Sequence, residues 1–236
     1  MFAIAAPLLG VPADELEARG GMIYRKSLSS VSIPVSALFT RIQSIALEGS
    51  EIVGKGSYIS PVVLEDENGH SPRLSSYFSH IAYGVEVAVN EETGEVKVLR
   101  VVGVCDNGQP INPKMSEAQI EGGMAMGVGL GVYEEMKFDK GIPINPSFMD
   151  YKMPTVQEIP VGDDMTSLLN PDSFEEGPYG AKGMGEITLS AIEPAIANAV
   201  YDAVGIRLAS MPLSRERIWQ ALREKKIKER EKAGVA

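Results

Sequence analysis

Gly123, Gly127 and Gly131 recur every four residues within SEAQIEGGMAMGVGLGVYEEM, Ser116 to Met136. Residues four apart share one face of an α-helix. Each glycine inside a helix costs roughly 1 kcal/mol relative to alanine. A helix carrying several therefore needs a compensating close approach, by a second backbone or by a ligand, along its bare stripe. Ala118 and Gly122 repeat the spacing on another face. Helices that dimerise in lipid use the same spacing, but Glu121, Glu134 and Glu135 leave too short an apolar run. The helix is expected to begin with Ser116 as its cap and Gln119 at the third helical position, where a capping role is the first reading of that glutamine.

A second glycine-rich stretch runs from Gly177 to Gly205, GPYGAKGMGEITLSAIEPAIANAVYDAVG. Gly177, Gly180, Gly183 and Gly185 fall within nine residues, and Glu186 follows the last of them. Such a turn lets a backbone approach a partner closely or take positive φ angles, and an acid at its end is placed for proton chemistry. By itself the stretch reads first as a structural turn with a surface glutamate. It lacks the strand–turn–helix setting of a dinucleotide fingerprint and the Gly-Lys-Ser/Thr of a phosphate loop, so a nucleotide- or phosphate-binding module is the weaker alternative. The segment then becomes a helix over Ala195, Ile196, Ala199, Val200 and Ala203 that stops at Gly205, with Ser190 and Glu193 as a capping box.

The rest of the chain mixes periods of two and near four. Phe2–Leu9 reads as helix, Asp14–Arg19 as a charged connector, and Gly21–Ser29 as a strand. Pro34 opens a helix over Val35, Leu38, Phe39, Ile42, Ile45 and Ala46 that Gly49 closes, and Ile52–Ile59 reads as another strand. A polar loop covers 61–76. Ile81, Tyr83, Val85, Val87 and Val89 alternate before a turn at Glu91–Gly94, and Val96, Val98, Val102 and Val104 are expected on one face of the return strand. A second hairpin is expected around Asp139-Lys140-Gly141, a loop over 145–176, and a last helix capped by Ser214. The pattern predicts an α+β fold, mixed sheets with packed helices.

Composition removes several functions. Lys and Arg number 22 against 32 Asp and Glu, a formal charge of −10, which disfavours nucleic acid as a partner. No apolar run approaches the ~20 residues that span a bilayer, so no membrane partner is expected. Arg215–Lys232 holds eight basic and four acidic residues, a local +4 that reads as a solvated helix end. Cys105 is the single cysteine and His70 and His80 the two histidines. No disulfide, zinc site or iron–sulfur site can be built from them, no metal-ligating side chain is expected, and a reducing cytoplasm is the natural compartment. His70 and His80 read as surface residues, and Cys105, beside Asp106, as a buried inert thiol.

Taken in order, EVKVLRVVGVCDNGQPINPKMSEAQIEGGMAMGVGLGVYEEM (from Glu95 to Met136) and the later YGAKGMGEITLSAIEPAIANAVYDAVGIRL resemble the molybdenum-binding subunit of the xanthine dehydrogenase/aldehyde oxidase family of molybdenum hydroxylases. The resemblance is strongest at AQIEGG (Ala118 to Gly123) and GAKGMGE (Gly180 to Glu186). It implies that 1–236 is the C-terminal part of a molybdopterin-binding domain, with 215–236 a terminal helix and charged tail. It implies a molybdenum–pterin cofactor, molybdopterin or its cytosine dinucleotide form. Glu186 matches the family's proton-accepting glutamate, Gly183, Met184 and Gly185 the turn that lies against the cofactor, and Gln119 a glutamine on the pterin side. Met184 and Ile187 flank Glu186 with apolar bulk, which favours a proton-accepting role by desolvation. The expected reaction is oxidative hydroxylation of a heterocycle or aldehyde carbon with oxygen from water. The expected partners are a polypeptide carrying the first part of the molybdenum subunit, an iron–sulfur subunit with 2Fe–2S clusters, an FAD subunit and a small-molecule substrate. Segments of the family that lie before Met1 are absent, so a split subunit or a fragment, inactive alone, is expected. Ala118 and Cys105 stand where the family commonly has glycine and histidine. A non-catalytic scaffold remnant is the alternative.

Overall fold

The computed structural model describes residues 1–41, 55–172, 174–232 and 234, which divide into two units, Met1–Ile59 and Ser60–Ala236. The first unit opens with helix α1 (Phe2–Leu9), ended by Gly10 in the left-handed region at φ 66°. Strands β1 (Leu16–Arg19), β2 (Met22–Arg25) and β3 (Leu28–Pro34) form an antiparallel meander. Helix α2 (Val35–Arg41) follows directly. Ala5, Leu16, Ile23 and Leu38 make the small core.

Three sequence expectations change here. The charged connector contains β1, which shows only Leu16 to the core and therefore has no alternation to read. The single strand over 21–29 is two strands, because the chain turns at Lys26 and the Lys26 amide donates to the Glu15 carbonyl (2.8 Å). Pro34 ends β3 rather than opening α2. The expected continuation of α2 to Gly49 and the start of the Ile52–Ile59 strand lie outside the described residues, and residues 55–59 carry no strand.

The second unit is built on β4 (His80–Val89) and β5 (Val96–Asp106), the predicted hairpin. The register shifts between Glu86 and Val87, which face Arg100 and Val98, so Leu99 is an extra residue in β5. A bulge of this kind reverses the side chains beyond it. Val96 and Val98 face the core before the bulge, and Val101, Gly103 and Cys105 after it; Val104, expected on the same face as Val96, is 38% exposed. A strand that the expected loop hid, β8 (Met165–Leu169), pairs parallel to β5 and completes a β4-β5-β8 sheet. Before it come the two-residue strands β6 (Phe138–Asp139) and β7 (Ile142–Pro143), with Lys140 and Gly141 at φ 48° and 83° in the turn.

Helices cover the sheet on one side. Helix α3 (Pro113–Val128) starts a turn earlier than expected: Asn112 is its cap, accepting from the Met115 amide at 3.2 Å, and Pro113 fills the first position. It ends in a π-helical turn, Gly129–Tyr133. Helix α4 (Ile192–Val204) is stopped by Gly205 at φ 66°, and its cap is Ala191 with no side-chain bond, so the expected Ser190–Glu193 capping box does not form. The Ser190 hydroxyl donates to the Glu186 carbonyl instead. Helix α5 (Arg215–Lys232) begins at Ser214, whose hydroxyl accepts from the Arg217 amide. Ile120, Met124, Val128, Ile192, Ile196, Val200, Ile218 and Leu222 close one core against Val96, Val98 and Val101. The architecture is α+β: separate mixed sheets with packed helices.

The glycine stripe sets the distance between α3 and the segment leading into α4. A Cβ on Gly123 would stand 2.5 Å from the Thr188 carbonyl oxygen. On Gly127 it would stand 1.6 Å from Ile192 Cγ2. Ile192 is branched at Cβ and fully buried, so it has no room to yield. A Cβ on Gly122, in the same helix, meets nothing within 4 Å. Gly127→Ala should therefore destabilise the fold by about 1–3 kcal/mol through overpacking, whereas Gly122→Ala should stabilise it by up to about 1 kcal/mol through helix propensity. Denaturant midpoints of the two variants, compared with the unsubstituted chain, check the difference in sign.

Candidate functional site

The close approach of α3 brings the two glycine-rich stretches to one place. The Gln119 side-chain amide, on an exposed face of α3, donates from Nε2 to the Gly185 carbonyl at 3.0 Å. The same carbonyl accepts from the hydroxyl of buried Thr188 at 3.0 Å. The Thr188 carbonyl in turn accepts from the Tyr83 hydroxyl on β4, whose ionisation burial pushes well up. Gly185 is thus fixed from α3, from the 3₁₀ turn that follows it (Ile187–Leu189) and, one step removed, from the sheet.

The turn before it is stitched to the end of β5. The Gln109 amide donates to the Gly180 carbonyl at 2.7 Å and the Lys182 amide to the Asn107 carbonyl at 2.9 Å, around a bridge of Gly108 with Ala181. Gly108 sits at φ 65°, and a Cβ there would lie 2.4 Å from the Gly180 oxygen, so no other residue fits without strain. The Lys182 ammonium reaches Asp106 Oδ2 at 2.6 Å, with both side chains about nine-tenths buried (9% and 10% exposed). Asp106 Oδ1 accepts from the Gly108 amide, and the ring of exposed His80 stands 3.4 Å from Oδ2. Burial works to raise the Asp106 carboxyl, but the bonds from Lys182, Gly108 and His80 outweigh it and hold it below the ordinary range. A segment ahead of β4 ties down the middle of the turn: Tyr77 Oη accepts from the Gly183 amide at 2.8 Å, and Ser79 Oγ donates to the Gly183 carbonyl at 2.9 Å.

Beside this turn lies a cavity of about 380 Å³ whose walls include Asn107, Gln109, Gln119, Lys182, Met184 and Gly185. The structure therefore brings Gln119, Met184 and Gly185 together in one wall. Gly183 and Glu186 border that turn but do not line the cavity. Glu186 is exposed, and among the described residues its carboxylate has no hydrogen bond or ion pair. Met184 and Ile187, expected to enclose it, pack against the core instead. Their backbone positions put those side chains inward while the intervening carboxylate faces out, so desolvation of Glu186 is not supplied by its neighbours.

Other sequence candidates fall where expected. His70 is exposed in its loop, its amide bonded to Asp66. Cys105 is buried, and burial first, then the Asp106 charge, pushes its thiol up. Among the described residues, no cluster of three or more His, Cys, Asp or Glu side chains is placed to hold a metal ion. A larger cleft of about 870 Å³ between the loop after Asn145 and the start of α5 holds no residue of AQIEGG or GAKGMGE, and its Arg217 is already bonded to Glu135. Sequence reasoning missed Lys182, Asp106, Tyr77 and Asn107. Only the first two carried a signal: charged residues placed within an apolar strand end and a glycine turn, where burial demands a partner.

Removing one member of a buried ion pair strands the other, at a cost of about 3–5 kcal/mol. Asp106→Ala should cost stability on that scale and free the glycine turn, read as loss of amide-exchange protection at Gly183 and Gly185. Because folding depresses the Asp106 carboxyl, its contribution is complete above the unfolded value of ~3.9 and is lost as pH falls through the lower folded value. Asp106→Asn should therefore lose stability near neutral pH and flatten the acid limb of the stability profile. Denaturation series from pH 7 to pH 2 check both the offset and the slope.

The profile of the molybdopterin cofactor-binding domain matches residues 1–160. The probable hypoxanthine oxidase XdhD of Escherichia coli (strain K12) is 34% identical over 172 residues, 72% of this chain and 16% of that protein. The aldehyde oxidoreductase molybdenum-binding subunit PaoC of the same organism is 38% identical over 140 residues, 58% of this chain and 19% of that protein. Among solved structures, quinoline 2-oxidoreductase of Pseudomonas putida 86 superposes with a TM-score of 0.72 at 22% identity, over 94% of this chain and 28% of that one. The chain thus spans well under a third of the length of each. The shared fold and the profile match agree, and this chain belongs to the molybdopterin cofactor-binding domain family, the family of the molybdenum-binding subunits of xanthine dehydrogenases and aldehyde oxidoreductases.

Proposed function

We propose that this chain forms one wall of a molybdenum–pterin site in a hydroxylase that oxidises a heterocycle or aldehyde carbon. The observation that carries the reading is the meeting of the two motif stretches at one cavity, with Gln119 Nε2 on the Gly185 carbonyl at 3.0 Å. The residues present suit a pterin. The wall is rich in neutral amide groups, the one nearby ammonium is spent on Asp106, and the backbone of Gly185 is bare. When bound, the group supplies a two-electron acceptor and an oxygen derived from water.

The chain's own part is to hold and to accept. Gln119, Met184 and Gly185 present the pterin face, and Gly183 sets the turn from which it is approached. Thr188 and Gln119 fix the Gly185 carbonyl, which fixes the backbone of the next residue, Glu186. Its carboxylate, free of partners among the described residues, is the proton acceptor at the reacting oxygen. Desolvation that would suit it to that task comes from the substrate and from polypeptide outside this chain. We assign the remainder of the molybdenum subunit, an iron–sulfur subunit with 2Fe–2S clusters and an FAD subunit as partners, since the chain spans only 16% to 28% of its relatives. The cofactor is molybdopterin or its cytosine dinucleotide form, and the compartment cytoplasmic, in keeping with the lone buried thiol.

Glu186→Gln in the complex purified with its natural partners should lower turnover by about 10²–10⁴-fold, the range for loss of a general base, with molybdenum and pterin content nearly unchanged. Steady-state assay beside metal and pterin analysis decides it. Near-normal turnover would remove Glu186 from the mechanism, and a complex without molybdenum or pterin would favour a scaffold role.

A further inference from the structure

The hairpin of β6 and β7 pairs only Phe138 with Pro143 and Asp139 with Ile142, and all four residues are exposed. A two-stranded hairpin with nothing packed against it is marginal in water. This one is nevertheless pinned at its base. Asn145, buried, accepts from the Lys137 amide at Oδ1 (2.7 Å) and donates from Nδ2 to the Glu135 carbonyl (2.6 Å). The Ile144 amide donates to the Lys137 carbonyl. Beyond it the Tyr151 amide closes a turn on the Ser147 carbonyl (2.8 Å), and Tyr151 Oη donates to Glu134 Oε2 at 2.6 Å. What this held backbone presents is apolar. Residues 141–149 include no charged side chain. Phe138, Ile142, Ile144, Phe148 and Met149 all face outward, the last two 80% exposed. Single exposed apolar side chains need no explanation, but five within twelve residues of pinned backbone mark a contact surface.

Resting on the partner assignment above, we propose that residues 138–149, the hairpin and the turn after it, dock on an uncharged apolar surface of the remainder of the molybdenum subunit. This chain spans only 16% to 28% of its relatives, so that remainder is the largest polypeptide it has to meet. The chemistry of the patch selects it over the other partners. Subunits that fold separately meet across surfaces about as polar as the rest of their exteriors, whereas polypeptides that fold together meet across interfaces resembling a core cut in two. An uncharged run carrying two phenylalanines, two isoleucines and a methionine is of the second kind. Exposed Asp139, Lys140 and Asp150 bound it as a polar rim. The buried Asn145 clamp holds the hairpin in shape before the partner arrives, which lowers the ordering cost of docking.

Replacing Phe138 or Phe148 by the photo-crosslinking residue p-benzoylphenylalanine keeps an aromatic ring at an exposed position that the fold of this chain does not need. Illumination of the complex purified with its natural partners, followed by peptide mass spectrometry, should join both positions to the remainder of the molybdenum subunit. In the unsubstituted complex, Met149 should be oxidised by hydrogen peroxide about tenfold or more slowly than in the same complex unfolded in urea, because docking covers a thioether that this chain leaves open. Cross-links to the iron–sulfur subunit, to the FAD subunit or to a second copy of this chain overturn the proposal, as does the absence of any cross-link or a Met149 oxidation rate within about twofold of the unfolded one. Molybdenum and pterin content of the same preparation tests the cofactor reading separately: a complex without either, cross-linked as expected, overturns that reading and supports the docking surface.

Discussion

The distance between α3 and the segment Thr188–Ile196 governs the second unit. Three glycines on one helix face let the Thr188 carbonyl and the side chains of Ile192 and Ile196 sit where β-carbons would otherwise be. That approach brings Gln119 within a hydrogen bond of Gly185. Without it the two motif stretches would be separated by a layer of side chains, and no cavity would have both as walls. The helical cost of the glycines, roughly 1 kcal/mol each, is offset by the core that Ile192, Ile196 and Val200 close against Met124 and Val128.

The glycine turn is held from outside itself. A turn of this composition has high conformational freedom and makes few contacts of its own. Here its backbone is bonded to β5 at Asn107 and Gln109, to the segment before β4 at Tyr77 and Ser79, and to α3 at Gln119. The buried Asp106–Lys182 pair adds a charge-assisted anchor in a region of low dielectric. Several elements thus define one short backbone path, which is how a flexible sequence acquires the preorganisation that a site needs. The same clamps turn Met184 and Ile187 toward the core and leave the Glu186 carboxylate facing outward.

The sequence and the fold part company wherever pairing is long-range. The β4–β5 hairpin was legible because its alternation and turn are local. The reversal of Val102 and Val104 was not, because an extra residue in β5 changes which face follows while leaving the composition unaltered. Strand β8 was hidden for a like reason: it is short, bounded by loop-forming residues, and owes its conformation to β5. Helix α3 starts at Asn112 rather than Ser116 because Asn112-Pro113 is the better cap, and Ser116 is taken by the Asn107 amide.

By itself the sequence determined the class of fold, the hairpin, the helices around the two glycine stretches, and the likeness of AQIEGG and GAKGMGE to a molybdopterin domain. These follow from local periodicity, turn chemistry and motif order. The tertiary structure alone decided which motif residues share a wall. It joined Gln119, Met184 and Gly185 and placed Glu186 at their edge. It also paired Asp106 with Lys182, 76 positions apart, and left one edge of the Asn107 amide unpaired among the described residues. Those outcomes depend on which distant backbones the glycine stripe permits to touch, and that distance is a property of packing that no local pattern records.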